Sequence, residues 1–110
     1  MEMQQRKENS ATVVSVKGRI DAVSAPEFEK ALEDLISRGE KLLVIDFGEL
    51  DYISSAGLRT ILATTKKLKG MEGKLFLASL KEVVKEVFDI SGFSSIIPIH
   101  GSVEVALAEL

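Results

Sequence analysis

The stretch Leu42-Leu43-Val44-Ile45-Asp46-Phe47-Gly48-Glu49-Leu50-Asp51-Tyr52-Ile53-Ser54-Ser55-Ala56-Gly57-Leu58-Arg59-Thr60-Ile61-Leu62 decides the fold of this chain. Residues 42–45 form a continuous apolar run, the pattern of a strand inside a sheet covered on both faces. From Leu58 the pattern changes. Leu58, Ile61, Leu62, Thr65 and Leu68 recur at three- and four-residue spacing, which is one buried stripe of an amphipathic helix. Asp46 to Ile53 lies between the two and is expected to carry the chain out of the sheet edge as a polar turn. Ser54 and Ser55 fall at the junction, at a helix N-terminus. Unpaired N–H groups and the positive end of the helix dipole favour an anion there.

On the N-terminal side, Ala11 to Lys17 alternates as a strand, and Met3 to Lys7 pairs with it as a hairpin across Glu8-Asn9-Ser10. Ser24-Ala25-Pro26-Glu27 reads as a helix start, with Ser24 as N-cap, Pro26 in the first turn and Glu27 at the capping-box position. That helix is expected to run to about Arg38, to bury Phe28, Leu32, Leu35 and Ile36, and to stop at Gly39. On the C-terminal side, Lys74 to Leu80 reads as a strand. Lys81 to Ile90 reads as a helix with Val83, Val84, Val87 and Phe88 inward. Ile96 to Ile99 is a short strand that Pro98 consigns to an edge, and Ser102 to Leu110 is a closing helix capped by Ser102. The order β-β-α-β-α-β-α-β-α implies right-handed crossovers and a mostly parallel sheet with an antiparallel first hairpin, an α/β fold.

At 110 residues the chain is expected to form one domain, 1–110, large enough to bury a core. Its 14 Lys and Arg against 17 Asp and Glu give a net charge of −3, so it lacks the basic face that nucleic-acid binding needs. Lys66, Lys67 and Lys69 cluster near a helix C-terminus, where they complement the dipole and solvate the face. There is no cysteine, hence no disulfide, thiolate metal site or thiol nucleophile. The polar start MEMQQRKENS has no apolar core of a signal peptide, and no run is long enough to cross a bilayer. A cytoplasmic protein without membrane contact is expected.

Chemistry at a serine needs a base, and the single histidine, His100, follows the last strand and reads as a surface or turn residue. Ser54 and Ser55 lack the flanking glycines of a nucleophile elbow. No phosphate-cradling glycine loop is present. Asp21, Asp46, Glu49 and Asp51 lack the spacing of a metal loop and read as turn-formers, with Asp46 placed to cap a backbone N–H. Neither an enzyme nor a metal or cofactor protein is expected. For the serines two readings stand level on physical grounds. One serine caps the helix, worth about 1 kcal/mol, or Ser55 accepts a phosphate, adding about −1.5 to −2 charges at the dipole's positive end.

Three separated motifs bear on that choice: Gly18-x-Ile20-Asp21, Asp51-Tyr52-Ile53-Ser54-Ser55-Ala56-Gly57-Leu58, and Asp89-Ile90-Ser91-Gly92-Phe93. Together, in order and across essentially the whole chain, they resemble the anti-sigma factor antagonists, the bacterial branch of the STAS domain family. The resemblance implies a small mixed sheet with about four helices packed mainly on one face. It also implies a partner switch. The unphosphorylated antagonist binds an anti-sigma factor with serine kinase activity and releases the sigma factor. Phosphorylation of one serine blocks that binding, and a metal-dependent serine phosphatase restores it. Aligning Gly57-Leu58 with the family's glycine-leucine places the acceptor at Ser55, framed by Ser54, Ala56 and Gly57. Ser54 stands where many members carry aspartate, Ala56 where many carry serine or threonine, and Arg59 where a small residue is frequent. Asp21, Leu58 and Arg59 would belong to the docking face, with Arg59 either reaching a kinase carboxylate, neutralising a phosphate on Ser55, or simply lying exposed. Two further readings stand beside this one: a STAS scaffold subunit of a stress-signalling or lipid-transport assembly with no phosphate cycle, and a nucleotide- or lipid-sensing domain. A monomer is the default, with dimerisation through the Pro98 edge left open.

Overall fold

The sheet is built outward from its longest strand. A computed structural model describes residues 1–110. Strands β1 (Glu2–Glu8), β2 (Ala11–Ile20), β3 (Leu42–Ile53), β4 (Lys74–Ala78) and β5 (Ile99–His100) lie side by side in that order. β1 pairs antiparallel with β2, and every other pairing is parallel. Helices α1 (Ala25–Ser37), α2 (Ser55–Gly70), α3 (Glu82–Ser91) and α4 (Val103–Ala108) connect or follow the strands, with a 3₁₀ turn at Phe93–Ser95. The expected fold class therefore stands.

The core has two unequal parts because strand side chains alternate between faces. Val14, Val16, Leu43, Ile45, Phe47 and Leu77 point to one face and meet Phe28 and Leu32 of α1, Leu58, Ile61 and Leu68 of α2, and Val84 and Phe88 of α3. The Phe28 and Phe47 rings lie 6.4 Å apart and tilted, joining α1 to the centre of the sheet. On the other face Val13, Val44 and Ala78 meet Val103 and Ala106 of the six-residue α4, with Phe76, Leu107 and Leu110 packed around them. Three helices thus cover one face, and a short one covers part of the other.

The main correction concerns residues 46–53, which are strand and not turn. β3 stays paired with β2 to its end, Ile20 opposite Ile53, because two bulges absorb the irregular pattern. Between Ser15/Asp46 and Lys17/Glu49, and again between Gly18/Leu50 and Arg19/Tyr52, β3 advances one residue further than β2. Those extra residues set Phe47, Leu50 and Ile53 three apart yet all buried, which hid the strand from a period of two. Asp46 stabilises the first bulge, its Oδ1 accepting the Gly48 N–H at 2.9 Å, and Gly18 takes φ +98° beside the second.

Smaller differences have equally local causes. Ser24 does not cap α1: its backbone is already helical and its side chain accepts no cap bond. Asp21 does that work instead, because a turn closes from Ala25 N–H to Asp21 C=O at 2.8 Å, one turn ahead of the helix proper. β4 ends at Ala78, where Ser79 turns to φ +63°. Val83 is exposed, since the sheet reaches only the Val84 and Phe88 side of α3. The last strand holds only Ile99 and His100, and Pro98 precedes it at the sheet margin. His100 is half-buried at the end of the last strand: its ring packs 4.8 Å from that of Phe76, and its Nε2 is buried without a hydrogen-bond partner. No helix is long and apolar enough to cross a membrane.

Candidate functional site

The extended part of β3 rises past the end of β4 and delivers α2 to the top of the sheet beside the end of β2. The two serines there have divided roles. Ser54 is extended at φ −87°, ψ 170° and is the N-cap, its Oγ accepting the Gly57 N–H at 3.3 Å. Its own N–H donates to the Ile20 carbonyl at 2.8 Å, and its carbonyl accepts from Leu58 N–H at 3.0 Å. Ser54 thus uses its N–H, its carbonyl and its hydroxyl oxygen at the helix start. Ser55 is the first helical residue and is exposed, and its hydroxyl bonds to no other group of the protein. The N–H groups of Ser55 and Ala56 are the remaining orphan donors of the first turn.

The framing residues act by packing. A Cβ on Gly57 would stand 2.8 Å from Ile20 Cγ2 and 2.8 Å from Ile53 Cγ1, so only glycine lets the helix start seat against the two strand ends. Ala56 is partly buried against the same core. Leu58 is only 8% exposed and belongs to that core, so it supports the site from beneath and presents no docking surface. Arg59 is exposed, forms no ion pair or hydrogen bond, and lines a groove of about 440 Å³ between α1 and α2 with Pro26, Glu29, Lys30 and Thr60 among its walls.

Asp21 shapes the neighbouring loop. Its Oδ1 accepts from Ser24 N–H at 2.9 Å and Val23 N–H at 3.0 Å, while Ser24 Oγ accepts the Asp21 N–H at 2.9 Å. These bonds, led by the Ser24 N–H, hold the Asp21 carboxyl below its ordinary range. The loop carries Val23, 89% exposed, at its tip. The Ile20–Ser54 bond ties this loop to the serine pair, so the structure brings Asp21, Ser54, Ser55 and Arg59 to one end of the molecule and turns Leu58 inward.

Two features of this end were missed in the sequence. Arg19 lies 4.3 Å over the Tyr52 ring, a cation–π contact that depends on the second bulge placing them opposite each other. Lys81 pairs with Asp51 at 2.6 Å, ties α3 to the extension of β3, and pulls the Asp51 carboxyl below its ordinary range. Neither left a signal: the second bulge sets the Arg19–Tyr52 pairing, and the Asp51–Lys81 pair joins a strand to a helix start 30 residues away. The other sizeable hollow, about 500 Å³, opens on the α4 face around Ser15, Asp46 and Glu49, with Val16 its one apolar residue. No group of three or more His, Cys, Asp or Glu side chains converges as metal ligands would.

A mixed five-stranded sheet with a capped helix start and an exposed serine hydroxyl at its end defines a small α/β domain whose grouped polar side chains lie on its surface. The chain belongs to the STAS domain family, whose model matches residues 1–106. It is 41% identical to the provisionally named anti-sigma factor antagonist BtrV of Bordetella bronchiseptica, over 98% of this chain and 93% of that protein. It is 34% identical to the anti-sigma-B factor antagonist of Bacillus subtilis, over 83% of each. The crystal structure of an anti-sigma factor antagonist from Mycobacterium paratuberculosis superposes with a TM-score of 0.91 at 27% identity, covering 98% of this chain and 92% of that one.

Proposed function

We propose that this protein is an anti-sigma factor antagonist that switches partners by phosphorylation of Ser55. The unphosphorylated form binds an anti-sigma factor with serine kinase activity in the cytoplasm and so frees a sigma factor. Phosphorylated Ser55 ends that binding, and a metal-dependent serine phosphatase restores it. The protein supplies a hydroxyl and a surface, and the partner supplies ATP and the catalytic base.

The observation that carries this reading is the division between the serines. Ser54 spends its side chain and backbone on the helix start, whereas the Ser55 hydroxyl is exposed and free. A phosphate on Ser55 meets orphan N–H groups and the favourable end of the dipole, so the fold accepts it. A partner resting on the Asp21 loop, Val23 and Arg59 meets new bulk and about two negative charges. The names of two relatives support the antagonist part of this reading.

The test is affinity capture from native extract with ATP or ADP, using wild-type, Ser55→Ala and Ser55→Asp baits. Wild type and Ser55→Ala are expected to retain an ATP-binding serine kinase that Ser55→Asp loses. Capture of one non-kinase assembly by all three baits would overturn the switch and favour a scaffold subunit.

A further inference from the structure

We infer that Arg59 is the built-in counter-ion of a phosphate on Ser55, so that phosphorylation moves its guanidinium from the α1–α2 groove to the start of α2. The inference rests on Ser55 being the acceptor and adds what the modified site does to its own surface.

Ser55 and Arg59 stand four residues apart in α2, the spacing that places side chains one above the other on a helix. The anion would lie N-terminal to the cation, the more favourable order for such a pair. Both side chains are exposed. Arg59 is also uncommitted: Glu29 and Glu33 line the same groove, yet neither forms an ion pair with it. The other arginine at this end, Arg19, is already stacked on Tyr52. A planar guanidinium can take two phosphate oxygens at once, while the N–H groups of Ser55 and Ala56 are free for a third.

The consequence is a larger change than the phosphate makes alone. In the unmodified protein a docking partner meets a free cation on the groove rim. In the modified protein it meets an anion at the helix start, and the cation is occupied. One covalent event thus removes an attractive charge and installs a repulsive one.

The test needs no partner. Phosphoserine is installed at position 55 of the full chain by genetic encoding, and its second ionisation is followed by ³¹P NMR. This is done in the otherwise native chain and with Arg59→Gln, Arg59→Lys and Arg19→Gln. The expected result is a titration midpoint about 0.3 pH unit lower in the native chain than with Arg59→Gln, as an exposed helix pair of this spacing gives. Arg59→Lys should restore part of the difference, 0.5 M salt should shrink it, and Arg19→Gln should leave the midpoint unchanged. Equal midpoints with and without Arg59, in chains whose amide spectra show the same fold, would overturn the inference. That failure would leave the kinase-capture result untouched, and failed kinase capture would leave this titration untouched.

Discussion

The backbone N–H of Ser54 donates to the carbonyl of Ile20 at 2.8 Å. This single bond joins the last residue of β2 to the residue that opens α2. It makes the Asp21 loop and the serine pair one rigid corner, although more than thirty residues separate them in sequence.

The two serines should separate cleanly under mutation. Ser54→Ala removes the cap at Gly57 N–H and should cost about 1 kcal/mol in urea unfolding. Ser55→Ala should change stability by less than about 0.5 kcal/mol and abolish phosphate incorporation. Equal stability losses for both variants would contradict the assignment of roles.

Gly57→Ala sets two effects against each other. Helix propensity favours alanine by up to about 1 kcal/mol. The new Cβ would stand 2.8 Å from both Ile20 and Ile53, and overpacking of this kind costs about 1–3 kcal/mol. Overpacking should prevail, giving a lowered denaturation midpoint and a displaced helix start. A stabilised variant would show that this corner is softer than its contacts imply.

Acid should loosen the molecule at two ends. Glu40 accepts from Lys7 at 2.6 Å and Thr12 at 2.9 Å, and these bonds, Lys7 first, lower its pKa from 4.5. Asp21 and Asp51 are lowered from 3.8, by the Ser24 N–H and by Lys81 respectively. A carboxyl whose folded pKa is depressed stabilises above its unfolded value and loses that contribution as pH falls through the folded one. Stability should therefore be level near neutrality and decline below about pH 4.5. Glu40→Gln should flatten the upper part of that decline, as read by urea unfolding across pH 3 to 7. An unchanged slope would remove Glu40 from the account.

Phosphorylation of Ser55 should leave the sheet where it is. The Ile20–Ser54 bond is the short route out of the site, so amide shifts should concentrate in residues 20–24 and 54–60. Shifts spread through β4 and β5 would indicate a rearranged fold.

The helices and the sheet were legible in the sequence because their apolar periods were regular. Phe28, Leu32, Leu35 and Ile36 declared α1, and Leu43 to Ile45 declared the central strand. Residues 46–53 were not legible, because two bulges replace a period of two by a spacing of three at Phe47, Leu50 and Ile53. The helix cap was misplaced from Asp21 to Ser24 because both are good caps, and only the early turn from Asp21 to Ala25 decides between them. At the site, the helix start marked Ser54 and Ser55, whereas Asp21 and Arg59 were named only through the family resemblance. The inward position of Leu58 follows from its helical stripe and sets aside the docking role the resemblance implied. The Arg19–Tyr52 stack and the Asp51–Lys81 pair depend on which strands and helices become neighbours, and no local pattern records that.

The margins of the sheet bear on how long any complex can live. β1 shows Glu2, Arg6, Lys7 and Glu8 along the outer strand, and the opposite margin is two residues long and preceded by Pro98. Charge on one margin and brevity on the other discourage a foreign strand from adding to the sheet. Association is thereby left to loop tips and helix starts, whose contacts break piecemeal and without unzipping a ladder of backbone bonds. The proposed switch, in which one modified side chain ends a complex, is well served by margins that cannot hold on.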